Sequence, residues 1–154
     1  MAAYASLKIT YGKAFLNTIA AAWKTTASGA LILDGKLRLN TNPSFNPSAE
    51  DTIAGNAANE ADYSGYTAGG IAVTLSAPVN LSATCVGAIC SGTFAATTDS
   101  PFVSSVVYGY WIDDGTNVIA AEAFPTNQQV TFGTPGDFLE LVVQLPIQAV
   151  QLTA

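Results

Sequence analysis

The chain has 154 residues, 49% of them apolar and only 10% charged, with two cysteines, no histidine and a formal net charge of −6. That length makes one domain, and the missing histidine excludes Ser/His/Asp and Cys/His catalysis and leaves the cysteines short of the further soft ligands a zinc site needs. All five bases (Lys8, Lys13, Lys24, Lys36, Arg38) fall in the first 38 residues, which carry +4, while residues 39–154 carry −10.

Residues 5–11 alternate, with Leu7, Ile9 and Tyr11 against Lys8 and Thr10, and predict a strand or extended arm. From residue 13 the period changes. Phe15, Ile19 and Trp23 fall at i, i+4 and i+8, one apolar face of a helix over 13–24, ended by Thr25, Thr26, Ser28 and Gly29. AFLNTIAAAW (14–23) between lysines is not read as a signal peptide, because Asn17 and Thr18 interrupt it. The chain divides into an arm and helix over 1–29 and a β domain over 30–154.

ALILDGKLRLN follows, and Asp34-Gly35 between apolar runs predicts a hairpin turn. Residues 42–70 lose all periodicity and are rich in Asn, Pro, Ser, Gly and Ala. Loops of that length tend to be functional or ordered by a partner. Ser48, with Asp51 three residues on, predicts a short helical turn near 48–54. Beyond Gly70 the reading is β throughout, with strands at 71–76, 79–85, 90–97, 105–113, 117–124, 128–133 and 138–147. Turn residues separate them at the spacing of a sandwich or barrel.

Within 105–113, period 2 puts Val106, Tyr108, Tyr110 and Ile112 on one face, read as core, and Val107, Gly109 and Trp111 on the other. Trp111 is read either as a covered or inter-subunit aromatic or as a ligand platform, and Tyr66 as a second such aromatic. Asp113 and Asp114 precede Gly115 and read as turn residues. Cys85 and Cys90 stand in TCVGAIC. Either Val-Gly-Ala-Ile turns and brings the sulfurs together, or both are buried free thiols.

The chemistry sought is absent from the pattern. DDGTN lacks the spaced carboxylates of a calcium loop, and AGG at 68–70 has no following lysine to make a phosphate cradle. The expectation is a protein that is not an enzyme and needs no cofactor. Five spaced bases on an acidic chain make a poor match for nucleic acid, and no run reaches the ~20 apolar residues of a membrane span. The low charge fits either a neutral polar surface or one covered by neighbours. The basic first third either docks on its own acidic body or reaches a neighbouring copy; in the second case Lys8, Lys13, Phe15, Lys24, Lys36 and Arg38 are the inter-subunit candidates.

VVYGYWIDDGTNVIAAEAF (106–124) resembles a hairpin of small β-rich virion proteins of tailed bacteriophages, in which V-Y-G-Y leads to an Asp, a Gly turn, an apolar strand and A-E-x-F. KLRLNTN (36–42), a Pro-rich loop and EADYSGY (60–66) are similar in order, so the resemblance covers about residues 36–147. The basic first third does not match, and the cysteine pair is not part of that pattern. The resemblance implies a jelly-roll-like antiparallel β-sandwich, to which the periodicity of the first third adds an N-terminal arm and one short helix. It further implies a homo-oligomeric capsid decoration (cement) or head–tail accessory protein. Its partner would be the major capsid or tail protein of the same virion. It carries over no catalytic, cofactor or metal residues. The alternatives are a carbohydrate-binding or adhesin domain and an extracellular filament subunit.

Overall fold

The structure, a computed structural model, describes residues 10–11, 34–74, 79–82 and 85–147. The helix expected at 13–24 and the candidates Lys8, Lys13, Phe15 and Lys24 lie outside these residues. Among the described residues the protein is mainly β. The strands are β1 (Thr10–Tyr11), β2 (Asp34–Asn40), β3 (Ile71–Thr74), β4 (Val79–Ser82), β5 (Cys85–Ala95), β6 (Ser105–Val107), β7 (Gly109–Asp113), β8 (Val118–Ala123), β9 (Val130–Phe132) and β10 (Phe138–Ile147), with one helix, α1 (Ile53–Ala57). All pairings are antiparallel. They form a five-stranded sheet in the order β1-β8-β7-β2-β3, a three-stranded sheet β10-β5-β4, and the pair β6-β9. Two residues of the expected arm, Thr10 and Tyr11, are thereby an edge of the larger sheet, opposite Ala121 and Ala120.

The three sheets share one core. β2 contributes Leu37 and Leu39, β7 Tyr110 and Ile112, β5 Phe94 and Cys90, β9 Phe132, and β10 Leu139, Leu141, Val143 and Leu145. Over 138–145 β10 alternates strictly, with Leu139, Leu141, Val143 and Leu145 buried and Phe138, Glu140, Val142 and Gln144 exposed. That is the pattern of a strand with one face on the core, and each buried leucine contributes about 1.5–3 kcal/mol. β7 does not alternate: all five of its residues are buried, because the 42–70 segment covers the face turned away from the core.

The 105–113 run is not one strand. It breaks at Tyr108, whose N–H donates to the Asn40 carbonyl (2.8 Å) while its carbonyl accepts from Phe124 N–H (2.7 Å). The break resets the face parity. Val107 joins Tyr110 and Ile112 in the core, and Val106 and Tyr108 are only half-buried, which corrects the even-numbered core face drawn from period 2.

Asp34-Gly35 is not a turn either. Both residues lie in β2, opposite Thr74 and Val73. Gly35 is there for close approach, since a Cβ would stand 2.8 Å from the Asp113 carbonyl oxygen. β5 runs unbroken through Cys85–Ala95, so Val-Gly-Ala-Ile is strand, not turn. Five residues of strand span roughly 16 Å, too far for a disulfide, and Cys90 is a buried free thiol. The helical turn expected near 48–54 sits later, over 53–57, with Thr52 Oγ1 as its cap, accepting from Gly55 N–H (3.1 Å). Asp51 bonds back to Ser48 N–H (3.2 Å) without starting a helix.

The Asp114-Gly115 turn is as expected. Asp114 Oδ1 accepts from Thr116 and Asn117 N–H (2.8 and 2.7 Å), and Gly115 takes φ +84. Nothing lies within 4 Å of where its Cβ would be, so a substitution pays only for the left-handed backbone. Gly115→Ala is expected to cost about 1–2 kcal/mol, and Gly115→Asn distinctly less, measured by thermal unfolding.

Candidate functional site

The densest polar chemistry among the described residues lies where the 42–70 segment crosses β2 and β7. Arg38 and Trp111 are direct cross-strand partners. The parity that sends Leu37, Leu39, Tyr110 and Ile112 into the core puts Arg38, Trp111 and Asp113 together on the opposite face. The guanidinium donates from Nε to Asp113 Oδ2 at 2.7 Å, from Nη2 to Asp113 Oδ1 at 3.4 Å and from Nη1 to Glu60 Oε2 at 3.1 Å. Its Cζ lies 4.7 Å from the centre of the Trp111 ring, a cation–π contact. Burial pulls the Arg38 pKa down, but the bonds to Asp113 and Glu60 outweigh it and the net shift is upward.

Glu60 is the hinge of the cluster. A β-bridge to Asn40 brings it to β2. Its Oε1 accepts from Tyr66 Oη (2.8 Å) and from Gly69 N–H (2.7 Å), while its other oxygen takes Arg38. Tyr66 Oη in turn accepts from Leu39 N–H at 3.4 Å. Three stretches of the long loop are thus tied to one arginine on β2. Above Trp111 sit Phe45 and Ile53, the second from α1. At the far end of the loop Tyr63 stacks on Phe132 with ring centres 3.9 Å apart, and Tyr66 stacks on Phe94 at 6.0 Å.

Arg38 therefore directs its guanidinium to Asp113 and Glu60 of its own chain. Trp111 is 0% exposed and has no face to offer a ligand or a neighbour. Tyr66 is half-buried and bonded to Glu60. Lys36, also on β2, is exposed. Asp113 is not a turn residue but the fully buried partner of Arg38. Glu60 was missed altogether, because nothing in its local sequence separates it from other loop acids. A second buried pair joins cross-strand partners on the core side, Tyr110 Oη donating to Glu122 Oε2 at 2.7 Å.

Chemically, this arrangement is a brace. Both carboxylates face a cation that does not deprotonate. No group of three or more His, Cys, Asp or Glu with metal-binding geometry occurs among the described residues, and no helix there is long and apolar enough to cross a membrane. What the brace presents is the outer surface of the loop, where Ser44, Asn46, Ser48, Ala49, Ala54, Ala58 and Asp62 are exposed.

The buried hydroxyls and thiol make stability sensitive to alkali. Burial pushes the Cys90 thiol up from 9.0 to about 11. Burial also raises Tyr63, and burial followed by the bond to Glu60 raises Tyr66. The fold holds the protonated forms, so their contribution is complete below the unfolded-state pKa and is lost as pH rises toward the folded-state value. For Cys90 that window runs from pH 9.0 to about 11 and is worth on the order of 3 kcal/mol. Urea midpoints measured across the window should fall, and Cys90→Ala should flatten the slope.

No family model, curated protein or solved structure matches this chain.

Proposed function

We propose that the chain is a non-enzymatic structural protein of a tailed-bacteriophage particle, a capsid decoration (cement) or head–tail accessory component. In this reading its antiparallel sheets form a jelly-roll-like sandwich that works in several copies. It is made in the host cytoplasm and ends in the virion, held by the major capsid or tail protein.

The observation that carries the reading is where the charge goes. Arg38, the last base in the sequence, is consumed by Asp113 and Glu60. The exposed charges beyond it are the acids Glu50, Asp62, Asp99, Asp114 and Glu140. A surface acidic from residue 39 onward matches Lys8, Lys13 and Lys24 at the other end of the chain, so copies have a reason to associate. The braced loop supports the same reading: a long segment rich in small neutral residues, held rigid, suits contact with a lattice, because little entropy is left to lose on binding. Nucleic acid and membrane remain poor partners for so acidic a body.

The carbohydrate-binding alternative rested on Trp111 and Tyr66, and burial of the first with the internal bonding of the second weighs against it. An extracellular filament subunit shares the assembly logic and differs in context. The deciding experiment is mass spectrometry of gradient-purified particles from the phage or induced prophage that encodes the chain. The protein is expected at a copy number in fixed ratio to the major capsid or tail protein. Absence from the particles contradicts the proposal.

A further inference from the structure

The sheet edges of this protein are not alike. Among the described residues, β1 offers two residues, β3 four, and β4 four with a register shift between Asn80 and Ser82. Short or bulged edges resist pairing with other chains. β10 is the exception. It is ten residues long, and it pairs with β5 in unbroken register from Phe138 to Ile147. Among the described residues β5 is its only neighbour. It has no lysine, no bulge, a single acid in Glu140, and a proline only at its next-to-last position. Among the described residues, two of the three exposed large apolar side chains, Phe138 at 55% and Val142 at 40%, stand on it.

We propose that two copies of this chain join through β10, antiparallel about a two-fold axis, so that two three-stranded sheets become one six-stranded sheet. A partner must match ten residues of open ladder, and a second β10 does so by symmetry. The side chains select the register. With the axis at Val142, Val142 meets its own copy, and Glu140 lies opposite Gln144 of the second chain. An axis at Glu140 would set carboxylate against carboxylate, which is disfavoured. Pairing in this way satisfies the outward-facing backbone groups of β10 and covers Val142 on the exposed sheet face. The inference rests on the proposal that the chain works in several copies, and supplies the surface; it does not depend on which particle holds them.

Sedimentation of the full chain tests it, together with Val142→Lys and with Val142→Cys and Glu140→Cys in a Cys85→Ser, Cys90→Ala background. The expected result is a dimer for the unsubstituted chain and a monomer for Val142→Lys with an unchanged circular-dichroism spectrum. Under mild oxidation Val142→Cys should cross-link and Glu140→Cys should not. Val142 is on the exposed face, so lysine is tolerated by the fold; should that variant nevertheless unfold, the cysteine pair decides alone. A dimer that survives Val142→Lys and leaves Val142→Cys uncrosslinked overturns the β10 interface and leaves the oligomer standing. A monomer at all concentrations, as when another part of the same chain covers the edge, overturns the inference, and the particle experiment then judges the functional reading separately.

Discussion

Arg38→Ala is expected to destabilise the protein by about 3–5 kcal/mol, the cost of leaving a buried carboxylate without its cation. Beneath Arg38, Asp113 has no exposed side-chain surface and Glu60 only 12%, so both carboxylates rely on protein donors. Asp113 keeps one bond, from Gly115 N–H (2.9 Å), which is too little to solvate a charge. Arg38→Lys should recover only part of the loss, because an ammonium cannot serve both oxygens of Asp113 and one of Glu60 in the planar fork that guanidinium provides. Urea unfolding gives the answer directly. A loss below about 1 kcal/mol would mean the cluster behaves as a solvated surface pair. The loop should also respond: amide exchange over 42–70 should quicken in Arg38→Ala more than exchange in β10, since Glu60 loses its anchor on β2.

The second large effect is expected at Trp111. Its ring packs with Val118 and Ala121 of the neighbouring strand β8 and with Phe45 and Ile53 of the 42–70 segment. Trp111→Ala removes that packing at about 3–5 kcal/mol. Trp111→Phe should cost much less. The indole Nε1 is buried with no hydrogen-bond partner among the described residues, a penalty of about 1–3 kcal/mol that phenylalanine would not carry. Arg38 lies over the same ring, so the two alanine substitutions should be non-additive, with a coupling of about 0.5–2 kcal/mol in a double-mutant cycle. Additivity would mean the cation–π contact contributes nothing.

Much of the architecture was legible because strands with one buried face write their period into the chain. β10 is the clearest case: FLELVVQLPI gives its bounds as well as its buried face. The Asp114-Gly115 turn was legible for a different reason, since only a residue tolerant of positive φ serves there. Three local signals misled. Asp34-Gly35 has the composition of a turn, but its glycine answers to the backbone of β7, a contact 78 residues away in sequence. The period-2 reading of 105–113 assumed an unbroken strand, and hydrogen bonds to Asn40 and Phe124 break it at Tyr108. Val-Gly-Ala-Ile between the cysteines allows a turn, one of the two readings left open there, yet pairing with β10 keeps it extended, and the other reading, a buried free thiol, holds for Cys90.

The polar cluster was least legible of all. Arg38 and Asp113 are 75 residues apart, and neither sits in a motif. The hint available was parity: an arginine flanked by Leu37 and Leu39 on a strand must face away from the core, and a tryptophan on the off-core face of β7 needs cover. Sequence offered the cover, the long 42–70 segment, without saying that Glu60 would fasten it. Of the readings left open for Trp111, the covered aromatic is the one that its burial under Phe45 and Ile53 matches.

On the function proposed above, the protein binds to and stabilises a phage particle. The most direct measurement is add-back. Particles produced without the protein are mixed with the purified chain, and both its binding and the temperature of genome release are recorded. Saturable binding at symmetric lattice positions, with release moved to higher temperature, is the predicted result. Particles that neither bind the chain nor change their release temperature would contradict it.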